Sequence, residues 1–179
     1  RTGDNKKCHP LTIMDSHTRF LVCCKACQSV CAAEVMPAME AAFRTYGLPK
    51  VIRSDNGHPF SSRAPAGLSS LNVWWLKLGI HPEQIAPHKP QQNGSHERMH
   101  RTLKTEMTVA ANIAAQQAAI DVFRHTYNQD RPHEALGMIT PGELYMCSPR
   151  PYPDTLPDVR YPSSMYVRQV RSNGGIMWN

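Results

Sequence analysis

The stretch Met36–Gly57, MPAMEAAFRTYGLPKVIRSDNG, decides the fold class. Pro37 reads as the first residue of a helix, where its missing N–H costs nothing. Met36, Met39, Ala42, Phe43 and Tyr46 recur at helical spacing, and Gly47 with Pro49 stops the run. Val51-Ile52 then opens a short strand that ends at Ser54-Asp55-Asn56-Gly57. A helix feeding directly into a strand is an α/β pattern.

Outward from this segment the pattern repeats. Leu11–Met14 and Phe20–Cys24 are short apolar runs separated by Asp15-Ser16-His17-Thr18, which predicts a β-hairpin. Downstream, Leu68, Leu71, Trp74, Trp75 and Leu78 form an apolar helical stripe ended by Gly79, a core-packing pattern. His88–Gly94 reads as a polar loop. A long helix follows from about Ser95 with Met99, Leu103 and Met107 on one face, and an Ala-rich helix from about Ala114 to Tyr127. Beyond Leu144, five prolines between Pro149 and Pro162 predict an extended linker. Tyr166–Val170 alternates like a strand and Ser172-Asn173-Gly174-Gly175 like a hairpin turn. No internal repeat is visible.

Twenty Lys and Arg against fourteen Asp and Glu give a net charge of +6 before the nine His are counted. That balance suits an anionic partner such as nucleic acid, although many basic domains bind none. No stretch is long and apolar enough for a membrane span, and no signal-peptide pattern is present. The start at Arg1 rather than Met suggests an excised piece of a longer chain. Cys23, Cys24, Cys27 and Cys31 crowd together, a poor layout for a disulfide framework and a reason to expect a reducing compartment. Cys24, Cys27 and Cys31 with His17 or His9 have a spacing zinc can use. Yet no second Cys pair stands at zinc-finger spacing, and adjacent strand residues point to opposite faces, so free buried thiols are the simpler reading. The histidines are scattered, with no pair at convincing ligand spacing.

Two acidic residues stand out. Asp55 ends a strand, yet Asp-Asn-Gly alone is a turn signal. Glu97 falls in the first turn of the long helix, where the helix dipole favours a carboxylate. Arg101 and Lys104 follow at plus four and plus seven on the same face. That combination suits a metal-dependent enzyme acting on a phosphate backbone, and equally an ordinary solvated helix face.

The motifs bring a family into view. Gly47-Leu48-Pro49 with Ile52-Arg53-Ser54-Asp55-Asn56-Gly57 resembles the second acidic motif of integrase-core transposases and retroviral integrases. Pro87-His88-Lys89-Pro90-Gln91-Gln92-Asn93-Gly94-Ser95-His96-Glu97-Arg98 resembles the third. Tyr127-Asn128, Arg131-Pro132-His133, Ala135-Leu136, Thr140-Pro141 and Tyr145 resemble the tail closing this core in bacterial insertion-sequence transposases. The resemblance covers Leu11 to Tyr145.

The resemblance implies an α/β, RNase H-like fold: a central mixed five-stranded sheet flanked by helices. It also implies two Mg2+ (or Mn2+) ions held by an Asp-Asp-Glu triad, for cleavage and strand transfer at DNA ends. Asp55 and Glu97 correspond to two of the triad. Lys89, Asn93, Arg98, Arg101 and Lys104 correspond to positions facing DNA. The implied partners are transposon ends, target DNA and further copies of the chain, without a membrane or small-molecule cofactor. The implied setting is the bacterial cytoplasm, at the nucleoid.

Two departures stand against the pattern. Glu97 lies 42 positions after Asp55, more than the family's usual gap of about thirty-five, and a loop between Phe60 and Trp74 can absorb the surplus. More seriously, the first Asp of the triad has no counterpart here. Asp4 and Asp15 both read as turn residues, which places the missing Asp, and the first strand, upstream of Arg1. The expected organisation is a truncated core over 1–147, a Pro-rich linker over 148–163, and the start of a small β domain over 164–179. The parent protein is then a DDE-type polynucleotidyl transferase, and the piece by itself is inactive. The alternatives are a catalytically dead DNA-binding or assembly module built on such a core, and an RNase H-like nuclease that cleaves without joining.

Overall fold

The computed structural model describes residues 1–62, 67–85, 93–158, 163, 164, 166, 168, 175 and 176. Strands β1 (His9–Met14) and β2 (Leu21–Cys27) form an antiparallel pair with Thr12 opposite Cys24 and a register shift between Ile13 and Met14. Helix α1 (Ala32–Tyr46) leads to β3 (Val51–Ser54), and α2 (Ser70–Lys77) leads to β4 (His81–Gln84), which runs parallel to β3. Helices α3 (Gly94–Glu106) and α4 (Ile113–His125) follow, the latter continuing into a π-helical turn at Thr126–Asp130. A 3-10 turn at Glu134–Leu136 and the short α5 (Pro141–Leu144) complete the order.

Side-chain alternation along β1 sorts the helices into two layers. Leu11 and Ile13 pack on a core of Val35, Met39, Phe43, Leu71, Trp74, Trp75 and Ile80 from α1, α2 and the approach to β4. Met14 packs on the opposite core, where Leu21 and Cys24 of β2 meet Met99 and Leu103 of α3 and Ile120, Phe123 and Tyr127 beyond them. Both amphipathic helices expected near Ser95 and Ala114 are present, their apolar faces turned to this second core.

Side chains from α4 and its π turn close the outer edge of β2. The buried Asn128 amide accepts from Leu21 N–H at 2.8 Å and donates to Leu21 C=O at 3.0 Å. Gln117 does the same for Ala26 N–H (2.7 Å) and Cys24 C=O (3.1 Å), and Arg124 donates to Val22 C=O at 3.2 Å. Five backbone groups of the strand are thereby satisfied by side chains.

Several expectations need correction. Helix α1 begins at Ala32, five residues before Pro37, which lies inside it. Ala32 and Ala33 are strong helix formers, Glu34 accepts from Gln28 N–H at 2.8 Å, and Val35 is buried in the core. These contacts outweigh the one backbone bond that Pro37 forfeits. Strand β4 was not expected: His81-Pro82-Glu83-Gln84 has neither alternation nor β-branched residues, and forms by pairing with β3. The hairpin strands are longer than read, starting at His9 and ending at Cys27. The four described strands make two separate pairs.

The Pro-rich segment starts by docking on the core. Ser148 N–H donates to Tyr46 C=O at 2.8 Å, and the Arg150 guanidinium donates to the carbonyls of Pro49, Leu78 and Gly79 at 2.8–3.0 Å. Gly47, at φ 79°, leaves room for this strap: a Cβ there would lie 2.5 Å from Ser148 C=O. The strand expected at Tyr166–Val170 and the turn at Ser172–Gly175 lie almost wholly outside the described residues.

Candidate active site

Strand β3 delivers Asp55 to the surface. Its Oδ1 accepts from Gly57 N–H at 3.0 Å, the Asx turn expected of Asp-Asn-Gly. The turn is tied down chiefly by its neighbours. Asn56 Nδ2 donates to Ile85 C=O at 3.2 Å, the Ser61 hydroxyl donates to Asn56 C=O, and Ile85 N–H extends the parallel ladder to Ser54 C=O at 3.1 Å. The unexpected β4 is therefore what seats Asp55.

Helix α3 begins at Gly94. Its N-cap Asn93 makes no capping hydrogen bond through its side chain. Glu97 lies in the first turn, exposed, and lines a shallow open groove with His100, Arg101 and Lys104. Arg101 and Lys104 fall within about 40° of Glu97 around the helix, whereas Arg98 is about 100° away. The Arg98 charge is felt instead at Tyr127, together with those of Arg19 and Arg131. The structure thus groups Glu97 with Arg101 and Lys104 and separates Arg98 from them. Lys89 lies outside the described residues.

The inner side of α3 holds two histidines that the sequence reading passed over. His96 Nε2 lies 2.7 Å and His100 Nε2 2.9 Å from the Thr12 hydroxyl of β1, with the rings 4.7 Å apart. Their spacing of four was the available signal: it puts both rings on one helix face. Burial pushes the His96 imidazole down to about 4, reinforced by His100 and opposed by the negative charge of Asp55. The charge of Asp55, at the end of β3, is thus felt at His96 in the first turn of α3, the residue before Glu97. Burial also lowers His100, with Lys104 adding to the effect.

Asp55 and Glu97 offer exposed carboxylate oxygens, the donors that hard divalent cations take. Among the described residues, no three His, Cys, Asp or Glu side chains are grouped to hold a metal. Asp4 pairs with Thr2 (2.5 Å) and Lys6 (3.4 Å). Asp15 accepts from Thr18 N–H and hydroxyl at 2.7 Å and from His17 N–H at 3.2 Å. Both are turn residues, as their sequence context indicated. The cysteines are free; burial raises the thiols of Cys23 to about 11 and Cys24 to about 12, whereas the side chain of Ser29 lowers that of Cys31.

An antiparallel pair and a parallel pair with helices on both sides, with Asp55 at a strand end and Glu97 at a helix start, define an RNase H-like α/β class. The catalytic core domain of HTLV-2 integrase, solved in complex with magnesium, has this fold, with a TM-score of 0.61 at 16% identity over 80% of this chain and 88% of that one. The chain belongs to the integrase core domain family, two models of which match residues 1–90 and 78–141. Its relatives include uncharacterized proteins of two bacterial insertion elements. One, of IS407 from Burkholderia multivorans, is 31% identical over 145 residues, 79% of this chain and 50% of the relative. The other, of IS476 from Xanthomonas euvesicatoria, is 31% identical over 137 residues, 75% and 38% respectively. The chain thus spans half or less of the length of these relatives.

Proposed function

We propose that this chain is the larger part of the catalytic core of a bacterial insertion-sequence transposase, which cleaves DNA at transposon ends and joins them to target DNA. The observation that supports this reading most directly is the basic face of α3, where Arg101 and Lys104 line one groove with Glu97, and the charge of Asp55 is felt at the neighbouring His96. Asp55 and Glu97 would hold Mg2+ or Mn2+. When bound, the cations activate the attacking oxygen and neutralise charge on the leaving one. The protein's own part is positioning: Arg101 and Lys104 engage phosphates beside the scissile bond, and Arg98 reaches the backbone from the adjacent helix face. Lys89 and Asn93, by the family resemblance, lie along the same DNA path.

In this reading a fifth strand joins the β1–β2 and β3–β4 pairs into one mixed sheet and carries the first Asp of the triad. The core would run over 1–147, the linker over 148–163, and a small β domain would begin at 164. The active form would be a homo-oligomer on paired DNA ends, cytoplasmic and nucleoid-associated. Because no three His, Cys, Asp or Glu side chains are grouped among the described residues, an inactive DNA-binding or assembly module is the second reading.

Full-length protein incubated with its terminal DNA and Mg2+ separates these possibilities. A transposase yields both cleaved and joined strands, a nuclease yields cleaved strands alone, and an inactive module yields neither while still binding DNA. Glu97→Gln is expected to abolish both products and leave DNA binding intact; loss of folding instead would make Glu97 structural.

A further inference from the structure

The contact between β1 and α3 is polar where its surroundings are apolar. Met99 and Leu103 seat the helix on the second core, each almost fully buried. Apolar packing is non-directional and leaves a helix some freedom to roll and slide. The Thr12 hydroxyl adds a directional constraint, because His96 and His100 grip it from successive turns. Two grips one turn apart fix rotation and axial register together. Glu97 follows His96 directly, is exposed, and makes no ion pair among the described residues. Its place in space is therefore set by the helix alone.

We propose that Thr12 is a positioning residue for Glu97: its hydroxyl, held between His96 and His100, locks α3 on β1 and so fixes where the carboxylate stands. This rests on the reading of Glu97 as a metal-holding residue. The chemistry of the clamp is specific. A hydroxyl has one proton to donate, and a neutral imidazole has one donor and one acceptor nitrogen. All three groups are satisfied when one Nε2 donates to Thr12 and the other accepts from it, so the two rings carry opposite tautomers. Valine keeps the shape of threonine and removes this arrangement, while serine keeps the hydroxyl.

The test uses the full-length protein with terminal DNA and manganese. Thr12→Val is expected to raise the manganese concentration for half-maximal cleavage by about tenfold or more, the usual cost of losing a group that orients a metal ligand. DNA affinity should be unchanged, and Thr12→Ser should restore the wild-type curve. Imidazole nitrogen NMR gives a second readout: His96 and His100 should show two different tautomers in the wild type and lose that pairing in Thr12→Val. An unaltered manganese curve in a folded Thr12→Val protein overturns the proposal. If Thr12→Val fails to fold, His100→Gln removes one grip and must shift the curve in the same direction; an unmoved curve overturns the proposal equally. Glu97→Gln separates the two levels. Retained cleavage there defeats the reading of Glu97 itself, whereas lost cleavage with an unmoved Thr12→Val curve defeats the clamp alone.

Discussion

Strands β1 and β3 both run out into an aspartate and a polar turn, and the two turns use that aspartate differently. In the hairpin turn, Asp15 Oδ2 accepts from two N–H groups and a hydroxyl, all within 3.2 Å, while the Asp15 backbone exchanges bonds with Phe20 and Arg19. After β3, Asp55 accepts from Gly57 N–H, and Asn56 and Ser61 supply the remaining tethers. One carboxylate is consumed by the geometry it makes. The other is presented by a turn whose geometry its neighbours carry, beside the helix that bears Glu97.

Substitution at the two aspartates should therefore produce opposite profiles. Asp55→Asn in the full-length protein is expected to lower single-turnover cleavage by on the order of a thousandfold or more, with unfolding stability changed by less than about 0.5 kcal/mol. Asp15→Ala should retain most of the cleavage rate per folded molecule. Similar losses at both positions would erase the distinction and return Asp15 to the site.

The hairpin side should show its cost in stability. Asn128→Ala strips the Leu21 N–H and C=O of their side-chain partner in a buried setting. A loss of about 2–4 kcal/mol in urea unfolding is expected, since each stranded buried group costs roughly 1–3 kcal/mol. Asp15→Ala should cost less, about 1–2 kcal/mol, because water can reach part of its turn. If Asn128→Ala is neutral, the β2 edge is not held by that amide, and the hairpin stands on its core packing with the Gln117 and Arg124 bonds.

The same contrast marks what could be read from the chain. The amphipathic helices, the hairpin and β3 follow from periodicity, because burial of one face is written into residue type. Strand β4 is not, since His81-Pro82-Glu83-Gln84 becomes a strand only when β3 offers an edge. Periodicity alone does not separate Asp15 from Asp55, since each ends an apolar run and opens a polar turn; the motif resemblance separates them, and so do the hydrogen bonds each carboxylate accepts. The tail motif gave the family resemblance, but not why its residues recur. Asn128 caps the β2 edge, and Tyr145 stacks on Phe20 at 4.1 Å, fastening the tail to the hairpin turn. The Thr12 clamp needed both β1 alternation and α3 placement at once.

The smallest effect should come from pH, and it reports on both regions together. His100 sits on the α3 side, and His133 on the hairpin side, where its ring meets Tyr127 edge-on at 4.7 Å and its buried Nε2 has no hydrogen-bond partner among the described residues. Burial holds both imidazoles below their ordinary range in the fold. His96 neighbours Glu97, where a bound cation would move its titration, so these two are the cleaner reporters. Above the unfolded pKa of about 6.5 both states are neutral and stability is flat with pH. Below it the unfolded chain takes up protons that the fold refuses, so stability falls as pH falls toward the folded values. Asp4 and Glu143, whose hydrogen bonds lower their carboxyls further, titrate beneath this window. Urea midpoints should thus drop between pH 7.5 and pH 5.5, and a rise would mean that the imidazoles gain charge partners on folding. Replacing each histidine by glutamine then asks which region yields first. If His133→Gln flattens the curve more than His100→Gln, acid loosens the hairpin and its tail before it disturbs the seat of Glu97.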